Sequence, residues 1–485
     1  MSNWFHKQVL LMLCAASAAA ACGQTVSVIQ TTPDLHDALT AKPTLAFGAG
    51  PGSKNAIVVD DGARYQTMDG FGAAMTDSSA WLLEKQLTPA QRDKAMRRLF
   101  DGKEGIGISF VRVPLGASDL ARNHYSYDDM PPGQRDAGLA HFSIAHDREY
   151  VLPAMRQALA LNPAIRVMLS PWSPPGWMKT NDSMIGGSLR ADAAKDFAAY
   201  LVRSVQAYEE AGVPVKYLSL QNEPLYETKD YPGMLLPAAQ ATKLIGNFVG
   251  PALAAAGHPQ ILLAYDHNWD HPEYALEVLS DPAAKRYTVG SAFHCYGGDA
   301  SAQDAVHERF PHKGIWMTEC SGGDWQKGNL LADTEHLVID STRNWAKAVV
   351  LWGLVLDEKN GPYAGGCHNC RAFITVDRRD TPHKLIYTVD YYAIGQASRF
   401  VHPGAVRIGS TRQGTGNLES VAFQNPDRSI VLLVLNQAST AAEFSVEWKG
   451  RSFAASLPAG SVATYLWRPQ PSPSDISLKS GAVSH

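Results

Sequence analysis

The sequence predicts a (β/α)8 barrel with an appended antiparallel β-sandwich. Three observations carry this reading. From about residue 66 to 395, short apolar runs alternate with longer helical patterns, as βα units and a parallel sheet require. The runs number eight within about 330 residues, a normal size for such a barrel. After about residue 395 only short strand-like runs remain, parted by Gly, Asn, Asp and Ser, which reads as a small β domain.

The eight runs are Gln66–Ala74, Ile106–Pro114, Ile165–Pro171, Lys216–Gln221, Ile261–Tyr265, Val289–Phe293, Ile315–Thr318 and Ala348–Leu354. Between them, Asp192–Ala211 carries Phe197, Tyr200, Leu201 and Val205 at helical spacing, and Leu236–Ala256 carries Leu244, Ile245, Phe248 and Val249 likewise. The C-terminal strands are Ala405–Ile408, Leu418–Gln424, Ser429–Leu435, Glu443–Trp448 and Ser461–Trp467. Val26–Ile29 and Ile57–Val59 are strand-like too, but residues 24–65 are too few to form a core alone and are expected to join the sandwich. The chain thus divides into N-terminal strands over 24–65, a barrel over 66–395, a sandwich over 396–468 and a Ser- and Pro-rich tail, 469–485, expected to be disordered. A Gly-rich phosphate-binding fingerprint is absent, as is any solenoid repeat.

Composition narrows the function. The chain has 485 residues, 45% of them hydrophobic, and a formal net charge of -4 without long single-sign runs, so a nucleic-acid partner is not expected. Residues 1–23 read as a secretory signal: Lys7, then the uncharged run Val9–Ala21, then small residues at Ala19, Ala21 and Gly23. That run is too short to span a membrane comfortably, and no later stretch is long and apolar enough. Ala19-Ala20-Ala21-Cys22 loosely resembles a lipoprotein processing site without its usual Leu, so a lipid anchor at Cys22 stays open. The expected location is periplasmic or secreted. Beyond Cys14 and Cys22 the chain keeps Cys295, Cys320, Cys367 and Cys370, and export permits disulfides. Cys367-His368-Asn369-Cys370 reads as a local disulfide or two free thiols, in preference to a zinc half-site or a redox pair, because a second CxxC and a βαβ context are lacking.

In such a barrel the chemistry lies at the C-terminal ends of the strands. The residues there are Asp69 or Asp77, Arg112 with Asp119, Trp172, Asn222 with Glu223, Asp266 with His267, His294 with Tyr296, Glu319 and Trp352. All eight ends are polar or aromatic. A lone Glu at a strand end is more often a salt-bridge partner than a catalyst. Glu223 and Glu319 differ because strands four and seven lie across the mouth from one another. Two carboxyl groups about 5–5.5 Å apart are what retaining glycoside hydrolysis needs. The context Gln221-Asn222-Glu223-Pro224 sharpens this: an Asn amide can bind a sugar 2-hydroxyl, and Pro stiffens the loop.

The chain resembles glycoside hydrolase family 30, which includes glucosylceramidases and β-1,6-glucanases. The matching segments are Asp69-Gly70-Phe71-Gly72-Ala73-Ala74-Met75-Thr76-Asp77, Val111-Arg112-Val113-Pro114 with Ser118-Asp119, and Ser170 through Asn181. They continue with Gln221-Asn222-Glu223-Pro224, His294-Cys295-Tyr296 and Thr318-Glu319-Cys320-Ser321-Gly322-Gly323. The resemblance implies Glu223 as acid/base and Glu319 as nucleophile. It implies Asp119, Trp172, Asn222 and Trp352 as sugar ligands, and His294 and Tyr296 as neighbours of the nucleophile within the substrate site. It also implies a sandwich built from both flanks of the barrel. One departure is Gly353, where many members carry Asn after the eighth-strand Trp.

The expected activity is therefore hydrolysis of β-glucosides by double displacement, glucosylceramidase-like, with Glu223 the carboxyl of raised pKa because a neighbouring negative charge and partial burial disfavour its ionised form. The alternatives are an endo-β-1,6-glucanase or β-xylosidase of the same family, a transglycosylase, and a non-catalytic glycan-binding barrel. The partner is a carbohydrate or glycolipid, the context carbohydrate or sphingolipid metabolism, and the chemistry needs no metal or organic cofactor.

Overall fold

The computed structural model describes residues 24–52, 55–411 and 416–469. The expected signal peptide, the Cys22 anchor and the tail from residue 470 onward lie outside the described residues. Among the described residues no helix is long and apolar enough to cross a membrane.

Eight parallel strands close a barrel: β1 (Gly70–Ala74), β2 (Phe110–Leu115), β3 (Arg166–Pro171), β4 (Val215–Ser219), β5 (Leu262–Asn268), β6 (Thr288–His294), β7 (Gly314–Glu319) and β8 (Ala346–Asp357). Each pairs with the next in chain order, and β8 pairs with β1 to complete the ring. β1 and β2 are buried at every position, because helices cover one face and the barrel interior the other. The outer half of β8 runs on past the ring and pairs with Ala372–Asp377, which turns back as an antiparallel hairpin with Lys384–Tyr387.

Each expected run overlaps its strand, but the first is shifted. Gln66 and Thr67 end a long sandwich strand, Ala56–Thr67, and the barrel strand begins only at Gly70. Gly70 has φ +140°, and a Cβ there would stand 2.2 Å from Ser109 Oγ, so the turn into the barrel requires glycine. The helix expected over Asp192–Ala211 forms as Ala194–Glu210 after one 3₁₀ turn and buries Phe197, Tyr200, Leu201 and Val205. The one expected over Leu236–Ala256 runs through Ala238–Leu244, Ile245–Val249 and Gly250–Ala255, the middle piece widened to π geometry.

The barrel is plugged at its N-terminal end by Phe110, Met168, Tyr217, Leu263, Trp316 and Val350. Tyr217 and Trp316 donate to Asp69 at 2.7 and 2.8 Å, and Arg166 and Lys347 pair with the same carboxylate. Asp69 thus closes the floor and is not a mouth residue, since it precedes β1 instead of following it. Asp77 is also set aside from the mouth: it accepts from the Tyr150 hydroxyl at 2.5 Å and the Arg122 backbone N–H at 2.8 Å, and lies 2.7 Å from His146 Nε2.

The second sheet has ten strands in the order Thr40–Ala46, Thr25–Thr31, Val462–Trp467, Ile430–Asn436, Leu418–Gln424, Val406–Ser410, Ala56–Thr67, Ala442–Trp448, Arg451–Leu457 and Gly48–Ala49. Both flanks of the barrel therefore contribute. The sheet wraps around Val26, Ile57, Leu432, Phe444, Trp448 and Trp467. Ile430–Asn436 is buried throughout, because Leu432 and Val434 face this core while Val431, Leu433 and Leu435 face the barrel core. Arg343, on the helix Leu330–Arg343 between β7 and β8, donates to the Ser420 carbonyl at 2.5 Å, and Phe71 meets Phe423 edge-on.

Glu335, on that same helix, is fully buried, and neither of its carboxylate oxygens has a hydrogen-bond partner among the described residues. Burial, with the Glu419 charge adding to it, pushes its pKa well above the ordinary value. The folded state then binds a proton that the unfolded chain releases, so stability is full below the unfolded pKa and falls as pH rises toward the folded one. Glu335→Met should accordingly stabilise the protein by about 1–3 kcal/mol near pH 7. That gain should shrink near pH 4, and thermal or urea unfolding at the two pH values checks it.

Candidate active site

Glu319 is the last residue of β7 and is buried. Both of its oxygens are occupied. Arg112 of β2 donates to Oε2, and the Tyr296 hydroxyl donates to Oε1 at 3.1 Å. Glu223 follows β4 with φ +46°, a left-handed conformation that costs energy in a non-glycine residue. The neighbouring strands hold it there: Asn222 N–H donates to the Pro171 carbonyl at 2.8 Å and Glu223 N–H to the Asp266 carbonyl at 2.9 Å. The site thus fixes the chain on both sides of the acid. Ligand atoms of Glu223, His294 and Glu319 all lie within 4.8 Å of one another.

Arg112 organises what lies beneath. Fully buried, it donates to Glu319, to Asn222 Oδ1 at 2.6 Å, to Asp266 Oδ2 at 2.8 Å and to Ser170 Oγ at 3.1 Å. Its guanidinium lies 4.7 Å from the Trp172 ring centroid and 5.7 Å from that of Trp352, and the two indoles stack at 4.8 Å. Asp266 also accepts from Thr318 at 2.7 Å and lies 3.0 Å from His294 Nε2. Burial opposes its ionisation, but Arg112 and His294 overcome this and hold it far below the usual carboxylate range.

His294 is fully buried, with Nε2 on Asp266 and Nδ1 3.3 Å from Glu223 Oε1. Burial alone would keep it neutral, yet the charges and hydrogen bonds of Glu319, Asp266 and Glu223 push it up to about 9. This proton changes the expected electrostatics. Burial raises Glu223, but the hydrogen bond and charge of His294 outweigh it and leave the carboxyl below its ordinary value. Glu319 is raised, chiefly by burial, with His294 and Arg112 pulling against it. The expectation that Glu223 is the raised carboxyl is therefore reversed, because His294 stands against Glu223 and carries the proton. The pair titrates as a unit. Asp119 is pushed up to about 7 by burial and then by the Glu319 charge, and it accepts from Trp352 Nε1 at 3.3 Å.

The cavity above this network measures about 390 Å³. Glu223, Glu319, Asp119, Tyr296 and Trp352 line it, so these expected site residues converge. Trp172, Asn222 and His294 do not line it, and they support the wall from behind. Sequence reasoning missed Tyr226, Tyr231, Asn268 and Trp325. Tyr226 and Trp325 stand on loops with rings 49% exposed, and exposed aromatics beside a catalytic motif were the available signal. Cys367 and Cys370 also line the cavity, joined as a disulfide, and their segment folds over Asp119, with Ala364 N–H on the Asp119 carbonyl at 2.9 Å. Gly366 is needed there, because a Cβ would lie 1.9 Å from that of Asp119. Lys179 sits below, pushed down to about 7 by burial, and ties the β3 and β4 loops through Ser173 Oγ and the Met184 and Gly233 carbonyls.

Two carboxyl groups this close leave no room for the intervening water that inversion uses, and they match the spacing of double displacement. The chain is a retaining glycosidase. It belongs to glycosyl hydrolase family 30, whose TIM-barrel domain model matches residues 68–401 and whose beta sandwich domain model matches residues 404–465. It is 32% identical to the endo-1,6-beta-D-glucanase neg1 of Aspergillus fumigatus over 93% of this chain and 95% of that one. It is 35% identical to an endo-1,6-beta-D-glucanase of Neurospora crassa, covering 86% and 89%. With the mouse lysosomal acid glucosylceramidase it shares 29% over 84% and 82%. Among solved structures, the endo-beta1,6-glucanase BT3312 superposes with a TM-score of 0.85 at 31% identity, covering 92% of this chain and all of that one.

The electrostatics make a test. While His294 is present, the Glu223–His294 pair keeps one proton up to a pH of about 9. Without the imidazole that proton must sit on a carboxyl, which loses it earlier. His294→Asn should therefore move the alkaline limb of kcat/KM toward acid by about one unit or more. An unmoved alkaline limb would contradict the shared proton.

Proposed function

We propose that this protein is an exported β-1,6-glucanase working by double displacement, with Glu319 as nucleophile and Glu223 as acid/base. The observation that carries the assignment of roles is the unequal treatment of the two carboxyls. Glu319 accepts from Arg112 and Tyr296 on its two oxygens, which suits an anion aimed at a reacting carbon. Glu223 is hydrogen-bonded to an imidazole that can supply or receive a proton.

In the first step Glu319 attacks the anomeric carbon while the glycosidic C–O bond breaks and the leaving oxygen takes a proton from Glu223, which received it from His294 as substrate bound and is left as a carboxylate. The bound sugar expels water from around Glu223 and so favours its protonated form. In the second step Glu223 removes a proton from water, the water oxygen bonds to the anomeric carbon, and the bond to Glu319 breaks. Asp119, pushed up to about 7, holds a sugar hydroxyl as donor below that pH and as acceptor above it. Trp352 supplies a flat apolar wall to the sugar ring.

The β-1,6-glucan reading rests on the glucanase relatives and on the open aromatic rim of Tyr226, Tyr296 and Trp325, which suits a chain extending past the cleaved bond. A glucosylceramidase activity is the second reading, supported by the mammalian relative. Export is supported by the two disulfides, which persist in oxidising compartments.

Assays on β-1,6-glucan, an aryl β-glucoside, an aryl β-xyloside and glucosylceramide separate the substrates, and the glucan should be turned over fastest. Glu319→Gln should lower kcat by about 10⁴-fold or more. Glu223→Ala should slow both steps, with azide restoring deglycosylation of an activated glucoside. Wild-type turnover by Glu319→Gln would overturn the nucleophile assignment.

A further inference from the structure

We infer that the Cys295–Cys320 disulfide is a positioning element of the catalytic site, a staple that holds the Tyr296 hydroxyl against the nucleophilic carboxylate. The inference rests on the proposed role of Glu319. The half-cystines occupy telling places. Cys295 lies between His294 and Tyr296 just past the end of β6, and Cys320 directly follows Glu319 at the end of β7. These strands are parallel neighbours whose register shifts between Phe293 and His294, so that His294 pairs with Glu319. The regular ladder has therefore stopped defining geometry where the two catalytic loops begin. Beyond that point the links among the described residues are one backbone hydrogen bond, Cys295 N–H to the Glu319 carbonyl at 3.2 Å, the Tyr296–Glu319 contact at 3.1 Å, and the disulfide.

The space behind the staple gives the second observation. A cavity of about 290 Å³ lies on its far side, lined by Cys295 and Cys320 together with Trp269, Leu337 and Leu351. Cys295 and Cys320 line this cavity, and their chain neighbours Tyr296 and Glu319 line the catalytic mouth. A packed core would hold the β6 and β7 loops without a crosslink, but here the bridge borders open space. Tyr296 is 44% exposed, so little else restrains its ring. On the other side the Cys320 carbonyl accepts from Trp352 N–H at 2.8 Å, so the staple also ties β7 to the indole wall on β8. The other disulfide, Cys367–Cys370, closes its own short loop over Asp119 and does not join two strands.

The consequence is specific to one carboxylate. Opening the staple lets Tyr296 leave Glu319, which loses a donor that favours its ionised form. The acidic limb of kcat/KM should move to higher pH, kcat should fall by about tenfold, and KM should change little, since a misplaced nucleophile weakens the transition state more than binding. The effect should also be non-additive with Tyr296→Phe: that substitution should be costly in the stapled enzyme and nearly silent in Cys295→Ala/Cys320→Ala.

The experiment compares wild type, Cys295→Ala/Cys320→Ala, Tyr296→Phe and the triple variant, each checked for folding by circular dichroism. The readouts are pH profiles on an aryl β-glucoside and the rate of covalent labelling by an activated 2-deoxy-2-fluoro-β-glucoside. The staple variant should label Glu319 more slowly than the wild type, with its acidic limb shifted to higher pH. Wild-type labelling rate and acidic limb in the staple variant, or a full Tyr296→Phe cost within it, would overturn the inference. Labelling of another residue in the wild type would instead defeat the nucleophile assignment itself. Should the double variant not fold, mild phosphine reduction of the folded wild type serves, with mass spectrometry reporting which disulfide has opened. Loss of labelling rate that tracks opening of Cys295–Cys320 and recovers on reoxidation supports the staple, and opening without loss refutes it.

Discussion

Arg112 is a permanent cation at the bottom of a sugar-sized cavity, and the arrangement of the site follows from it. A guanidinium with no solvent access must be compensated, and Asp266 and Glu319 do this from strands on the far side of the barrel. Its remaining donors reach Ser170 and Asn222, so one side chain on β2 sets the positions of groups on β3, β4, β5 and β7. Removing it would strand two buried carboxylates. The stacked pair Trp172 and Trp352 covers its open face and keeps water from screening these charges.

The second cation follows from the same balance. Arg112 can neutralise only one of the negative charges that Asp266, Glu319, Glu223 and Asp119 would carry together. Asp119 answers by holding its proton to about 7, and His294 by becoming charged. On the proposed mechanism, the proton that Glu223 delivers thus starts on His294 and crosses when substrate displaces water. The backbone strain at Glu223 belongs to this account as well, since it brings the carboxyl over the imidazole in place of letting it turn to solvent.

Much of this was legible in the residues. Apolar runs gave every barrel strand, because strands buried on both faces leave an unbroken apolar signature. The sandwich strands that the reading missed lack one: Thr40–Ala46 is mostly exposed, Gly48–Ala49 is two residues long and Arg451–Leu457 carries small residues. That Glu223 and Glu319 converge on one cavity was legible from strand position. What failed was direction and depth. Asp69 and Asp77 read as mouth residues, but one precedes its strand and the other turns to Tyr150. Asp266 and Arg112 were seen as polar strand ends, but nothing in a linear sequence says that they are mutually buried. The reversed pKa order had the same cause, since it depends on which carboxylate His294 faces. The Cys295–Cys320 bridge spans 25 residues, and its one signal was that both cysteines follow the ends of adjacent strands.

The central claim is that two carboxyls on opposite strands act in succession on one anomeric carbon. Proton NMR of the first sugar released from a β-linked glucan or aryl β-glucoside, recorded faster than mutarotation, reads this directly. The account predicts that the β-anomer appears first and the α-anomer only by later equilibration. An initial α-product would mean a single displacement by water and would contradict the assignment of Glu319 as a covalent nucleophile.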